Sequence, residues 1–232
     1  MDFKELLTEA GGLWEYSGGR YLAQLASGKL SSLFCNTGVI TTNPGSLAMA
    51  TGVLADRLSD VPGFDDVSNL SVIGPGMGGI TLSFELAGQL YTYHKSREIR
   101  AFFTEPVEVE RNGKKEKDQK FRFDLPPGKI LFVEDVITTG GSVEKTMRAV
   151  LVERPERIED IIPFVLCLVD RRGADDKLVL RPRESATIEC EVISLLKLSP
   201  RTWDTLELAQ KDCPNVVEAL RPKANWKKLV EG

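Results

Sequence analysis

Residues Lys129 to Ser142 read KILFVEDVITTGGS, and the reading of this stretch decides the fold. Ile130, Leu131, Phe132 and Val133 are four apolar residues in a row, which suits a strand buried on both faces of a parallel sheet. Two acids, Glu134 and Asp135, stand where that strand is expected to end. Thr138-Thr139-Gly140-Gly141-Ser142 follows, and a helical pattern starts at Val143. Free backbone N–H groups in such a loop, together with a helix N-terminus, hold a phosphate. The acidic pair accepts hydrogen bonds from sugar hydroxyls, as carboxylates do in dinucleotide-binding folds. No G-x-x-x-x-G-K-[ST] loop occurs in the chain. Gly74, Gly76 and Gly79 have the G-x-G-x-x-G spacing, but the next strand candidate ends near Glu105, beyond the roughly 20 residues a dinucleotide site expects.

Outward from this stretch, strand and helix patterns alternate between about Leu70 and Val169. Leu70–Ile73 is strand-like, runs into Gly74-Pro75-Gly76-Met77-Gly78-Gly79, and is followed by a helix over about 80–90. Ile99–Phe103 and Ile161–Val169 are further strands, and 186–198 contains another. Thr42-Asn43-Pro44 starts a helix with Pro44 in its first turn. Phe3–Leu13 and Thr202–Asp212 read as short helices. Thr104–Phe123, dense in Glu, Lys and Arg, reads as a charged hairpin or loop. The alternation predicts an α/β fold with a parallel sheet, in which ligands bind at the carboxyl ends of strands. The loops at Gly74–Gly79, Thr104 onward, Glu134–Ser142 and Asp170-Arg171 all follow strands, so they should meet at one edge.

The 232 residues are 42% apolar and 28% charged, ordinary for a globular chain with a full core, and the net charge of −4 argues against nucleic acid or an anionic membrane as partner. No apolar run approaches the roughly 20 residues that span a bilayer, and the N-terminus lacks a secretory pattern, so the expected location is the cytoplasm. Cys35, Cys167, Cys190 and Cys213 form no C-x-x-C pair, which indicates neither zinc nor a redox couple. His94, the one histidine, has no nucleophile elbow to pair with and reads as a surface residue at a helix end.

The Lys129–Ser142 segment resembles the phosphoribosyl diphosphate (PRPP) motif of type I phosphoribosyltransferases. Much of the chain is similar to the orotate phosphoribosyltransferase family. Ser27-Gly28-Lys29 with Ser31, Phe34 and Asn36 resembles the family's segment over the base. Ile73–Ile80 resembles its diphosphate loop, and Ala101–Glu105 the strand before its mobile loop. Asp170-Arg171 resembles the pair whose arginine holds the orotate carboxylate. Trp203 and Cys213-Pro214 resemble an extension in one branch.

The resemblance implies a single phosphoribosyltransferase domain over 1–232, with a parallel sheet flanked by helices. Its core would span about 44–175, and a small hood would come from about 1–43 and 176–232. It implies transfer of ribose 5-phosphate from PRPP to orotate, with Mg²⁺ carried mainly by PRPP, in a homodimer whose mobile loops serve the neighbour's site. The catalytic residues would be Asp135, Lys114, Lys117, Lys120 and Arg122. PRPP would be held by Glu134, Asp135, Thr138, Thr139, Gly140, Gly141 and Ser142 and by Gly76, Met77, Gly78 and Gly79. Orotate would meet Lys29, Phe34, Thr138 and Arg171. The missing Cβ of the Gly76–Gly79 glycines would let the diphosphate approach the backbone. The chain departs from the family at Ala26 and Gly78, where some members carry lysine. It departs also at Pro106, at Glu108 and Glu110, which would repel a diphosphate, and at the altered basic run Lys120-Phe121-Arg122-Phe123. Two other readings stay open: the same fold acting on another base, and a PRPP-binding regulator without catalysis.

Overall fold

A computed structural model describes residues 2–25, 27–64, 67–94, 98–111, 113–173, 177–183 and 186–231, without the side chains of Arg111 and Lys114. Ala26 lies outside the described residues. In chain order the elements are α1 (Phe3–Glu9), β1 (Leu13–Glu15), β2 (Tyr21–Gln24), β3 (Leu30–Ser31), β4 (Leu33–Cys35), α2 (Gly38–Thr41), α3 (Pro44–Ser59), β5 (Asn69–Pro75), α4 (Gly78–Tyr93) and β6 (Glu98–Arg111). They continue with β7 (Lys114–Lys120), β8 (Lys129–Ile137), α5 (Gly141–Glu153), β9 (Ile161–Asp170), β10 (Lys177–Arg183), β11 (Ala186–Lys197), β12 (Thr202–Trp203), α6 (Leu206–Asp212), β13 (Glu218–Leu220) and α7 (Pro222–Glu231).

Two compact units result, one of Thr41–Lys197 and one of Met1–Ile40 with Leu198–Gly232. The larger is built on a sheet of order β10-β11-β9-β8-β5-β6-β7. Its five central strands are parallel, as the apolar runs predict, and β10 and β7 close the edges antiparallel. Ile130–Val133 and Val165–Val169 are wholly buried, because strands with both faces covered cannot alternate apolar with polar residues. Helix α3 starts where Asn43 and Pro44 predict: the Asn43 side chain accepts from the Ser46 N–H at 3.0 Å, and Pro44 takes the first turn.

Register positions the site. Ile73 pairs with Phe132, Pro75 with Thr104, and Ile137 with Asp170. The carboxyl ends of β5, β8 and β9 therefore lie at one edge of the sheet, with β8 and β9 running past the end of β5 and β6 continuing beyond Thr104.

The core unit ends at Lys197 rather than near 175, because β10 and β11 extend the sheet. Strand β10 was not foreseen, although Lys177–Pro182 alternates exposed and buried residues, the period of a half-buried strand. Strand β8 runs on to Ile137, so Glu134 and Asp135 lie within it rather than after it. The charged segment 104–123 is an ordered ribbon: β6 continues to Arg111 and pairs with β7 from Glu105↔Lys120 to Arg111↔Lys114. The basic run Lys120–Phe123 stands at the base of this ribbon. Phe121 is buried, and the rings of Phe121 and Phe123 pack with Phe102 and Phe103 at centroid distances of 5.1–6.1 Å. His94 caps the end of α4, half-buried rather than exposed, with its ring against Phe64 and its Nε2 3.3 Å from the Ser59 hydroxyl.

The smaller unit holds the sheets β1-β4 and β12-β3-β2-β13. Leu22, Leu30, Trp203, Cys213 and Val216 form one cluster there, and the Trp203 indole N–H donates to Asp212 at 2.9 Å. Helix α6 begins at Leu206, later than the predicted 202, since Thr202-Trp203 pairs with β3.

Because Phe121 anchors the ribbon, Phe121→Ala should cost about 3–5 kcal/mol in denaturant unfolding, the usual loss for a buried aromatic. A change within about 0.5 kcal/mol, as at exposed sites, would refute the anchoring.

Candidate functional site

Two glycine-bearing loops meet at the sheet edge. The first, Gly74–Gly79, joins β5 to α4. A Cβ on Gly74 would lie 2.2 Å from the Gly79 carbonyl oxygen, and one on Gly79 would lie 2.6 Å from Pro75 Cδ. On Gly76 it would lie 2.5 Å from the Thr104 carbonyl oxygen, and on Gly78 2.7 Å from Asp135 Oδ2. These glycines were expected to leave room for a ligand. Instead the chain itself fills the space where each Cβ would stand, so the glycines are required by close packing of the loop on its neighbours. The Gly76 N–H donates to Thr104 O at 2.8 Å, the Gly76–Met77 peptide is cis, and the Met77 side chain is exposed.

The second loop joins β8 to α5 through Thr138–Gly140. Gly140 sits at φ 81°, a left-handed conformation that glycine adopts without strain. Glu134, Val136 and Ile137–Val143 line a cavity of about 40 Å³. Thr138, Thr139, Gly141 and Ser142 are exposed around it. Helices α1, α3 and α6 are capped by the side chains of Asp2, Asn43 and Thr205, whereas α4 and α5 have no side-chain cap. The two helices that follow these loops thus keep N-terminal donors available for an anion.

Glu134 and Asp135 stand between the loops. Glu134 is buried, and burial pushes its carboxyl up to about 9, with a hydrogen bond and charge repulsion from Asp135 adding to the rise. Glu134 is therefore protonated at neutral pH. Its Oε1 accepts from the Asp135 N–H at 3.1 Å. Asp135 is half-buried and packs on Gly78.

At the end of β9, Asp170 is fully buried and bound by Arg172 through Nη2–Oδ2 (2.8 Å) and Nε–Oδ1 (3.0 Å). The Arg172 guanidinium also donates to Lys177 O at 2.6 Å. Arg172 is thereby committed to the fold. The Arg171 N–H donates to Ile137 O at 2.8 Å, tying this strand end to β8.

The structure thus brings together at one edge of the core Gly76–Gly79, Glu134, Asp135, Thr138–Ser142 and Arg171. Lys29 and Phe34 belong to the smaller unit. There Lys29 pairs with Asp204 at 3.1 Å, and Phe34 packs on Trp226 at 6.1 Å between ring centroids. The ribbon cations divide. Arg122 is held by Glu105 at 2.6 Å, and Lys115 lies 4.0 Å from Glu108. Lys117 and Lys120 face Glu108 and Glu105 across the ladder. The Lys114 side chain lies outside the described residues. Contacts not foreseen also fix the ribbon: Asp118 pairs with Arg148 at 2.9 Å, the Lys117 carbonyl accepts from Lys145 at 2.6 Å, and the Gln119 amide reaches Gly76 O at 3.5 Å. Strand β7 is polar throughout, so no alternation in the sequence marks Asp118 as the inward residue.

The profile of the phosphoribosyl transferase domain family matches residues 36–184. The chain is 32% identical over 172 residues to an orotate phosphoribosyltransferase of Deinococcus radiodurans, covering 74% of this chain and 78% of that protein. It is 34% identical over 169 residues to one of Desulforamulus reducens, covering 72% and 76%. Among solved structures, that of orotate phosphoribosyltransferase from Aeropyrum pernix superposes with a TM-score of 0.54 at 22% identity, over 90% of this chain and 97% of the other. The Francisella tularensis enzyme gives 0.51 at 19% identity, over 84% and 85%. The structural likeness is one of fold.

The raised carboxyl of Glu134 makes stability pH-dependent. Below about 4.5, its ordinary value, the group is protonated in both the folded and the unfolded chain. Between there and about 9 the folded chain keeps a proton that the unfolded chain has released, so its contribution to stability falls as pH rises. Glu134→Gln cannot ionise. The variant's thermal midpoint should gain on wild type steadily from pH 5 to pH 9, and a constant offset across that range would contradict the assignment.

Proposed function

The chain belongs to the phosphoribosyl transferase family, in its orotate phosphoribosyltransferase branch, and on that footing we propose how its site works. It is a pentosyltransferase of pyrimidine biosynthesis. It transfers the ribose 5-phosphate of PRPP to orotate and releases orotidine 5′-monophosphate and diphosphate. The observation that supports this most is the strand edge where two uncapped helix starts, a carboxyl pair and Arg171 converge.

Thr138–Ser142 and the start of α5 hold the 5′-phosphate. Glu134 and Asp135 take the ribose hydroxyls: protonated Glu134 can donate as well as accept, and Asp135 accepts. Gly76, Met77, Gly78 and Gly79 present the loop and the α4 N-terminus to the diphosphate. Breaking the bond from ribose C1 to diphosphate builds positive charge on the sugar and negative charge on the leaving group. Catalysis comes from holding both ends and neutralising the leaving group, so no nucleophilic side chain is needed. Cations of the ribbon supply part of that neutralisation. Arg171 takes the orotate carboxylate beside Thr138.

Among the described residues no cluster of three or more His, Cys, Asp or Glu could hold a metal, and Asp135 offers a single carboxylate. This donor set fits Mg²⁺, which binds through one or two carboxylates plus substrate phosphates and keeps its waters. When bound, Mg²⁺ neutralises diphosphate charge. We propose a homodimer, supported by the exposed Phe84 and Tyr91 seven residues apart along α4. Among the described residues no helix is long and apolar enough to cross a membrane, and all four cysteines are free. Free thiols support a cytoplasmic location.

Orotate consumption with PRPP and Mg²⁺, followed by ultraviolet absorbance, should proceed with stoichiometric diphosphate release. No turnover, with PRPP still bound in calorimetry, would return the reading to another base or a regulator. A hydrogen bond to a charged group contributes about 1.5–3 kcal/mol, so Arg171→Ala should raise KM for orotate roughly 10- to 100-fold. KM for PRPP should not move; if neither constant moves, Arg171 is not the carboxylate partner.

A further inference from the structure

The chain leaves β9 through three residues held in three different ways. At Asp170 the backbone still pairs on both sides, with Ile137 of β8 and with Lys197 of β11. At Arg171 the link to β8 persists, its N–H donating to Ile137 O at 2.8 Å. At Arg172 the chain turns: the Arg172 N–H donates to Asp170 Oδ1 at 3.0 Å, the turn an aspartate side chain makes with the backbone two residues on. Gly173 follows at φ 88°, where glycine carries the chain away without strain.

The Arg172 guanidinium closes this turn. Its Nε donates to the same Oδ1 at 3.0 Å and its Nη2 to Oδ2 at 2.8 Å, a two-pronged pair that fixes both side chains in one geometry. Its Nη1 donates to Lys177 O at 2.6 Å, at the start of β10. Leu178 and Leu180 of β10 stand 2.6 and 3.2 Å from where a Cβ on Gly140 would lie. One side chain thus ties the end of β9 to the strand that packs under the Thr138–Gly140 loop.

The Asp170 side chain is 0% exposed and that of Arg172 8%. A pair so buried adds little net stability, because desolvation offsets the attraction. What it supplies is direction. In extended backbone, residues two apart share a side and the residue between them takes the other. Asp170 and Arg172 clasp each other on one side, so Arg171 is turned to the opposite side, with its backbone held by the residue that precedes Thr138.

We propose that Arg172 is a positioning residue for recognition of the base. Its fork on Asp170 fixes the side to which Arg171 turns and presents the Arg171 guanidinium to the base carboxylate in one orientation. The inference rests on the phosphoribosyl-transfer reading above and adds to it a residue that touches no substrate.

Arg172→Met alone leaves a buried carboxylate unpaired and endangers folding, so the test is the double variant Asp170→Asn with Arg172→Met, which removes both charges. In its steady-state kinetics KM for orotate should rise about tenfold, the scale of a small misplacement of a binding group, while KM for PRPP and kcat at saturating orotate stay within about twofold. An unchanged KM for orotate, or equal rises in both KM values, would overturn the assignment. Arg172→Lys keeps the charge without the fork and should also raise KM for orotate; a wild-type value there would overturn the role of the fork. If the wild type turns over no orotate, that failure falls on the function. The inference is then read from the NMR signal of the Arg171 Nε–H, identified by its loss in Arg171→Ala. That signal should shift in the double variant toward the position of a freely turning guanidinium, and an unchanged signal would overturn the inference.

Discussion

The carboxylate of Asp135 lies on the Cα of Gly78, with no room for a single carbon between them. This contact joins the two glycine-bearing loops, and the parallel pairing of β5 with β8 makes it possible. With Ile73 opposite Phe132, the start of the loop after β5 stands beside the Glu134-Asp135 end of β8. A slip of one residue would send every side chain of β8 to the opposite face. Glu134 would lose its buried position beside the phosphate loop, and Asp135 its seat on Gly78. The uncapped starts of α4 and α5 depend on the same pairing, because each helix begins within a few residues of its strand.

Much of this was legible because the site is written in residues with few alternative uses. A run of four apolar residues, two acids and a hydroxyl–glycine loop has one economical arrangement, strand to loop to helix. Strand β10 was not legible by the same reasoning. Its exposed positions are Lys177, Val179 and Arg181 and its buried ones Leu178, Leu180 and Pro182. Charge density and a proline obscured an alternation that only pairing with β11 makes decisive. The acidic pair was placed one step too late, since a strand was expected to end where polar residues begin. Glu134 stays in the strand because it is protonated: a neutral carboxyl is far less costly to bury than an ionised one. The role of the glycines was half legible. Their positions mark the loop, but what occupies the space beside each one depends on the neighbouring strand, which no local pattern reveals.

The acids of the ribbon look very different once paired. Read along the chain, Glu108 and Glu110 appeal to repulsion of any diphosphate. In the ladder each stands across from a lysine, as does Glu105. Exposed pairs of this kind contribute little stability, about 0.2–1 kcal/mol each. Their larger effect is on the field, since a ribbon of alternating sign has little long-range charge to steer or repel a ligand. The pair of buried Asp118 with half-buried Arg148 and the packed Phe121 and Phe123 hold the ribbon's base.

The protonation of Glu134 bears on the substrate as much as on the fold. PRPP brings a phosphate at one end and a diphosphate at the other, and the acidic pair sits between the loops proposed to receive them. Two ionised carboxylates there would add two negative charges to a ligand already rich in them, in a partly buried site where charges interact strongly. Burial of Glu134 removes one of them without removing the hydrogen-bonding group. A protonated carboxyl can also donate, so the pair offers a ribose diol both a donor and acceptors. The same burial that costs the folded chain stability as pH rises thus keeps the sugar site polar while limiting its charge.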